Sequence, residues 1–118
     1  MNTPTLPTNE ELVQFALEAM PRFCWTTERY DLGNIKHQWL YCEPLGLEIG
    51  LEAAFHGTKT FIIKSEEAPQ TGVQLFMTPE QEDQFHSVFI RACGLATERA
   101  KMYALERLAT IIATTKEP

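Results

Sequence analysis

His37 and Glu52 are the residues whose chemistry is easiest to state. An imidazole titrates near neutrality, and a carboxylate beside it can tune it as a general base. Catalysis also needs a nucleophile to activate, or donors to hold developing charge. The sequence places neither with this pair. The two therefore read as cross-strand polar neighbours, and no catalytic residue is assigned.

Cys24, Cys42, Cys93, His56 and His86 carry atoms that can bind a soft metal. None falls in CxxC, HxxxH or HExxH spacing. Cys42 and Cys93 sit among apolar residues, where a thiol behaves as a small hydrophobe. Gly46-Leu47-Glu48-Ile49-Gly50 echoes a phosphate-binding loop, but it lies inside a strand pattern with no helix after it. No metal and no cofactor is expected.

Charge narrows the partners. The 118 residues carry 10 Lys and Arg against 16 Asp and Glu, a net charge of −6. The cations are scattered, whereas a phosphate-tracking surface needs several on one face, so nucleic acid is not expected. No stretch approaches the ~20 apolar residues of a membrane span. The first residues lack the basic and apolar regions of a secretion signal, and three cysteines suit a reducing compartment. A cytoplasmic protein without membrane contact is the expectation.

The elements that must position these residues follow from capping and periodicity. Residues 1–7 read as a loose lead-in to a single domain, 1–118. Thr8-Asn9-Glu10-Glu11 is a capping box, and Leu12, Phe15, Ala16 and Ala19 recur at helical spacing. Pro21 should end this helix near Met20. The pattern then changes to period two. Strands are predicted at 23–31, 35–43, 47–55, 59–65 and 73–77, joined by short turns at Gly33-Asn34, Pro44-Leu45-Gly46 and His56-Gly57-Thr58 and by a polar loop. Thr78-Pro79-Glu80-Gln81 opens a final helix running to about Thr114. The fold class is α+β: an N-terminal helix, a five-stranded antiparallel meander and a long C-terminal helix on one sheet face.

Turn geometry also sets the register. Tyr30 should face His37, Tyr41 face Glu48, Trp39 face Gly50, His37 face Glu52, and Leu51 face Ile63. One sheet face then collects Trp25, Leu40, Cys42, Leu47, Ile49, Leu51, Ala53, Phe55, Phe61 and Ile63, and is the core. The other collects Tyr30, His37, Trp39, Tyr41, Glu48, Glu52, Ile62 and Phe76. So many aromatic and aliphatic groups on a face without helices point to a binding surface for a ligand or partner.

The last helix changes its apolar stripe along its length. Phe85, Val88, Phe89, Ala92, Leu95 and Ala96 form one stripe; Met102, Leu105, Leu108, Ala109 and Ile112 form another. Leu105 follows Phe85 by 20 positions, a rotation of about 200° at 100° per residue. Either the chain breaks near Gly94 and folds back, or the helix continues and its second stripe meets a second copy. The second solution is preferred, and it makes those five residues a dimer interface.

The resulting reading is a non-catalytic homodimeric binding, adaptor or chaperone-like protein acting through the aromatic sheet face and the C-terminal helix. Its expected partners are itself and another protein. Small acidic cytosolic chaperones of secreted effectors share this build, though no motif. The alternative is a small-molecule-binding protein or enzyme, with an aromatic pocket between the sheet and the C-terminal helix lined by Trp39, Tyr41, Phe76, His37 and Glu52.

Overall fold

The computed structural model describes residues 5–116. Met1–Pro4 of the lead-in lie outside the described residues. The order of elements is α1 (Asn9–Arg22), β1 (Thr26–Leu32), β2 (Ile35–Cys42), a 3-10 turn (Glu43–Leu45), β3 (Leu47–Ala54), β4 (Lys59–Ser65), β5 (Val73–Leu75) and α2 (Pro79–Lys116). The strands form one antiparallel sheet in the order β1-β2-β3-β4-β5. This is the expected α+β meander, with both helices on the same sheet face.

Capping fixes where the helices begin. The Thr8 hydroxyl accepts from the Glu11 N–H while the Glu11 carboxylate accepts from the Thr8 N–H, a complete capping box. Thr78 and Gln81 repeat the arrangement at α2. Pro21 does not stop α1 at Met20. It sits in the last turn, and the helix ends at Arg22, where the Phe23 N–H reaches the Ala19 carbonyl. A proline this close to a helix end costs only one hydrogen bond. The first strand accordingly begins at Thr26 rather than Phe23, after Trp25 has donated its indole N–H to the Met20 carbonyl.

The core lies between the helices and one sheet face. Val13, Ala16, Ala19 and Met20 of α1 and Phe85, Phe89, Ala92, Cys93 and Ala96 of α2 close over Leu40, Cys42, Ile49, Leu51, Phe61 and Ile63. Phe61 is its aromatic centre, edge-on to Phe85 at 4.8 Å and to Phe89 at 5.7 Å between centroids. Cys93 takes a buried place in the helical stripe, whereas Leu95, expected in that stripe, is half exposed. Burial raises the Cys93 thiol pKa, with partial relief from hydrogen bonds to Thr27 and Gln38.

Two of the three predicted hairpin registers hold: Tyr30 faces His37, and Tyr41, Trp39 and His37 face Glu48, Gly50 and Glu52. The third is displaced, because Leu51 faces Phe61 instead of Ile63. The turn occupies residues 55–57, closed by Ala54 N–H to the Thr58 carbonyl. In three-residue hairpin loops the last residue takes the left-handed conformation, and Gly57 does so at φ 94°. The shift conserves parity, so the faces survive, except that Phe55 leaves the strand. It was assigned to the core face and is 90% exposed.

His86 stands at the edge of the core, 6.1 Å from Phe61 between ring centroids. Desolvation lowers its pKa, Lys59 lowers it further, and Glu82 and Asp83 partly oppose this. The folded chain thus holds the proton less well than the unfolded chain. Stability from this residue is full above its ordinary value of 6.5 and falls as pH drops through that value toward the lowered one. His86→Gln should therefore lessen the loss of urea resistance between about pH 7.5 and pH 5.5, a window spanning the ordinary His pKa. An unchanged loss would show that the titration lies elsewhere.

Candidate functional site

Strand parity places Thr26, Glu28 and Tyr30 of β1, His37, Trp39 and Tyr41 of β2, Glu48, Gly50 and Glu52 of β3, and Thr60, Ile62 and Lys64 of β4 on the face opposite the helices. Tyr30, His37, Trp39, Tyr41, Glu48, Glu52 and Ile62 are thus brought together. Phe76 is not. β5 ends at Leu75, and both the N–H and the carbonyl of Phe76 are held by the Asn9 side-chain amide at the start of α1.

The face is more closed than its composition implies. Trp39, assigned to a partner-facing surface, is only 5% exposed. Its ring lies across Gly50, so close that a β-carbon there would stand 2.4 Å from the indole. The Lys64 ammonium covers the other side at 4.4 Å from the ring centroid, and donates to the Pro69 carbonyl at 3.1 Å. The β4–β5 connection also presses onto Ile62, because a β-carbon at Gly72 would meet Ile62 Cγ2 at 2.5 Å. Lysine over the indole is a cation–π contact and also shields apolar surface with its stem. Half-buried Tyr30, Tyr41 and Ile62 remain at the surface of this face.

Gly50 is the position on which this packing depends. Gly50→Ala should destabilise the chain by about 1–3 kcal/mol, the usual cost of overpacking. In a Trp39→Leu background that cost should shrink, since the clashing group is gone. Equal costs in both backgrounds, measured by urea unfolding, would refute the assignment.

His37 and Glu52 meet without a hydrogen bond. His37 is stacked on Tyr30 at 4.8 Å with 9° between the planes, and its Nδ1 lies 3.7 Å from Glu52 Oε1. His37 Nδ1 and Trp39 Nε1 are buried without a hydrogen-bond partner among the described residues. Tyr41 donates its hydroxyl to Glu28 at 3.1 Å. Desolvation, then the Glu28 hydrogen bond and charge, push its pKa well above that of an ordinary phenol, so it stays protonated. Tyr41 thus keeps its proton at neutral pH, and His37 Nδ1 hydrogen-bonds no hydroxyl or thiol among the described residues.

The thiols and remaining imidazoles are dispersed. Cys24 is exposed, Cys42 and Cys93 are buried in the core, and His56 pairs with Thr58 in the β3–β4 turn. Among the described residues no group of three or more His, Cys, Asp or Glu is arranged to hold a metal ion. No helix among them is long and apolar enough to cross a membrane.

A cleft does lie between the sheet and α2, but its walls differ from those expected. About 520 Å³ in volume, it is lined by Trp25, Thr27, Tyr41, Arg99, Ala100 and Tyr103 among others. Of the expected lining residues only Tyr41 reaches it. His37, Trp39 and Glu52 are on the far side of the sheet, where no helix packs, so the pocket drawn from them does not form.

The second stripe of α2 is the other candidate site. The helix is continuous for 38 residues, Pro79–Lys116, and does not break at Gly94. Gly94 points into open space, so nothing nearby forces the chain to turn. From Thr97 to Lys116 every residue is exposed. At 1.5 Å per residue α2 is about 57 Å long, which accounts for most of the molecule's 62 Å longest extent. Its distal half leaves the domain carrying Met102, Leu105, Leu108 and Ile112, each about half exposed, together with Ala109. Comparison with protein-family models, curated proteins and solved structures found no match.

Proposed function

We propose that this chain is a non-catalytic binding protein that works as a homodimer joined through the distal half of α2. One observation carries the reading: a 20-residue helical segment, Thr97 to Lys116, is exposed along its whole length and carries an apolar stripe, with only its first turns bordering the cleft at the sheet edge. A solvated helical segment has only weak support of its own, because helices in proteins draw most of their stability from packing an apolar face. Leucine and isoleucine at successive turns of a solvated helix point to a partner surface. The partner of lowest requirement is a second copy, since closed two-fold pairs are the commonest assemblies.

The sheet face opposite the helices is left for a further protein partner in an adaptor or chaperone-like role. Tyr30, Tyr41 and Ile62 are the surface groups there, on a base made rigid by Trp39 and Gly50. Tyrosine offers contact area with little rotamer entropy to lose, which suits such a surface. Sedimentation at tens of micromolar should return the mass of two chains. A strict monomer under those conditions overturns the reading.

A further inference from the structure

We infer that the two copies pair through α2 in antiparallel orientation, overlapping only over their distal halves; this rests on the homodimer proposed above. The outward side of α2 carries a 3-4 spacing at Glu98, Lys101, Leu105, Leu108, Ile112 and Thr115. That is the alternation of a two-helix seam. Charges along the seam choose the direction.

In a parallel pair each seam residue meets its own copy. Glu98 would face Glu98 and Lys101 face Lys101, and one heptad earlier Arg91 would face Arg91. Two successive like-charge layers, with a third at Arg91 beyond the Gly94 layer, are unfavourable in a seam that excludes water. In an antiparallel pair Leu105 of one copy meets Leu108 of the other, and every other layer follows from that match. Lys101 then lies beside Ile112, which its methylene stem can cover while the ammonium reaches water. Glu98 lies beside Thr115 and next to Lys116, so an acid meets a base at each end of the overlap. Arg91 falls outside the overlap altogether. The overlap spans Thr97 to Lys116, about 30 Å, and coincides with the part of α2 that leaves the domain. The two sheets are thereby carried to opposite ends of a shared helical rod.

Cross-linking separates the orientations. Glu98→Cys and Thr115→Cys are placed singly in a Cys24→Ser background, since Cys24 is the exposed native thiol. The two chains, differently tagged, are co-expressed and mildly oxidised. A covalent dimer containing both tags is expected, with Glu98→Cys alone giving no more than the Cys24→Ser background. In the antiparallel pair the two copies of position 98 stand ~25 Å apart, the rise of 17 residues. Cross-linking of Glu98→Cys to itself would establish a parallel pair and overturn the orientation while leaving the dimer intact. A dimeric mass with neither cross-link would place the contact elsewhere and overturn the inference. A monomeric mass would overturn the inference and the dimer together.

Discussion

Replacing Leu105 and Leu108 together by aspartate should convert the protein to a monomer at concentrations where the native chain is a dimer. Each leucine buried in a contact is worth about 1.5–3 kcal/mol. A symmetric pair loses four of them and gains four carboxylates in one seam. Even the lower figure, about 6 kcal/mol, corresponds to a rise in Kd of about 10⁴-fold at 1.4 kcal/mol per tenfold. The domain itself should remain folded, because Leu105 and Leu108 touch nothing in the core. Helix content should fall, since the distal half of α2 would lose the packing that supports it. Thr110→Asp is the control. It lies on the other side of α2 from the seam and should leave the mass unchanged. Sedimentation and circular dichroism report both effects; a double variant that still sediments as a dimer would remove α2 from the interface.

Phe61→Ala should be the most damaging single truncation in the core, costing about 3–5 kcal/mol. Its ring is 2% exposed and is the one to which Phe85 and Phe89 both present themselves edge-on. Removing it empties the space where β4 and α2 meet and leaves two aromatic rings without a partner. Domains of this size are stable by about 5–15 kcal/mol, so a fifth or more of the margin would go. Phe55→Ala is the matched comparison. It is also a phenylalanine of the β3–β4 hairpin, yet it projects from the turn, and its loss should change stability by about 0.5 kcal/mol or less. Urea unfolding of the two variants side by side tests the core assignment. A cost below about 1 kcal/mol for Phe61→Ala would contradict it, since such values belong to surface positions.

These two phenylalanines also show how far the sequence could be read. Both fall on the same parity of an alternating pattern, and parity is what the sequence expresses. It does not express where a strand ends. Gly57 draws Phe55 into the turn, because only the last position of the loop takes the left-handed backbone. Phe76 was misplaced for a related reason. Its backbone is held by Asn9, a residue 67 positions away, and no local pattern encodes such a clamp. Depth was hidden as well. Alternation put Trp39 on the face away from the helices, beside Gly50, but Lys64, itself held by the Pro69 carbonyl of the β4–β5 connection, covers the ring. The elements themselves were legible because capping boxes, short turns and the change from period 3.6 to period two are local signals. The two stripes of α2 were legible too, since rotation along a helix is arithmetic. Continuity through Gly94 was not, because a glycine in an exposed turn permits a break without requiring one.

The placement of Phe85 and Phe89 has a consequence for the order in which the chain is made. The inner face of the meander is complete once β5 has been synthesised, and α1 covers part of it from the start. The rings that close over Phe61 lie beyond β5, in α2. At about 5–20 residues per second, the stretch from Leu75 to Phe89 takes roughly 1–3 s to add. Throughout that interval the nascent sheet presents Phe61 and its apolar neighbours to the surroundings, so its most vulnerable moment falls between the completion of β5 and the docking of the first half of α2.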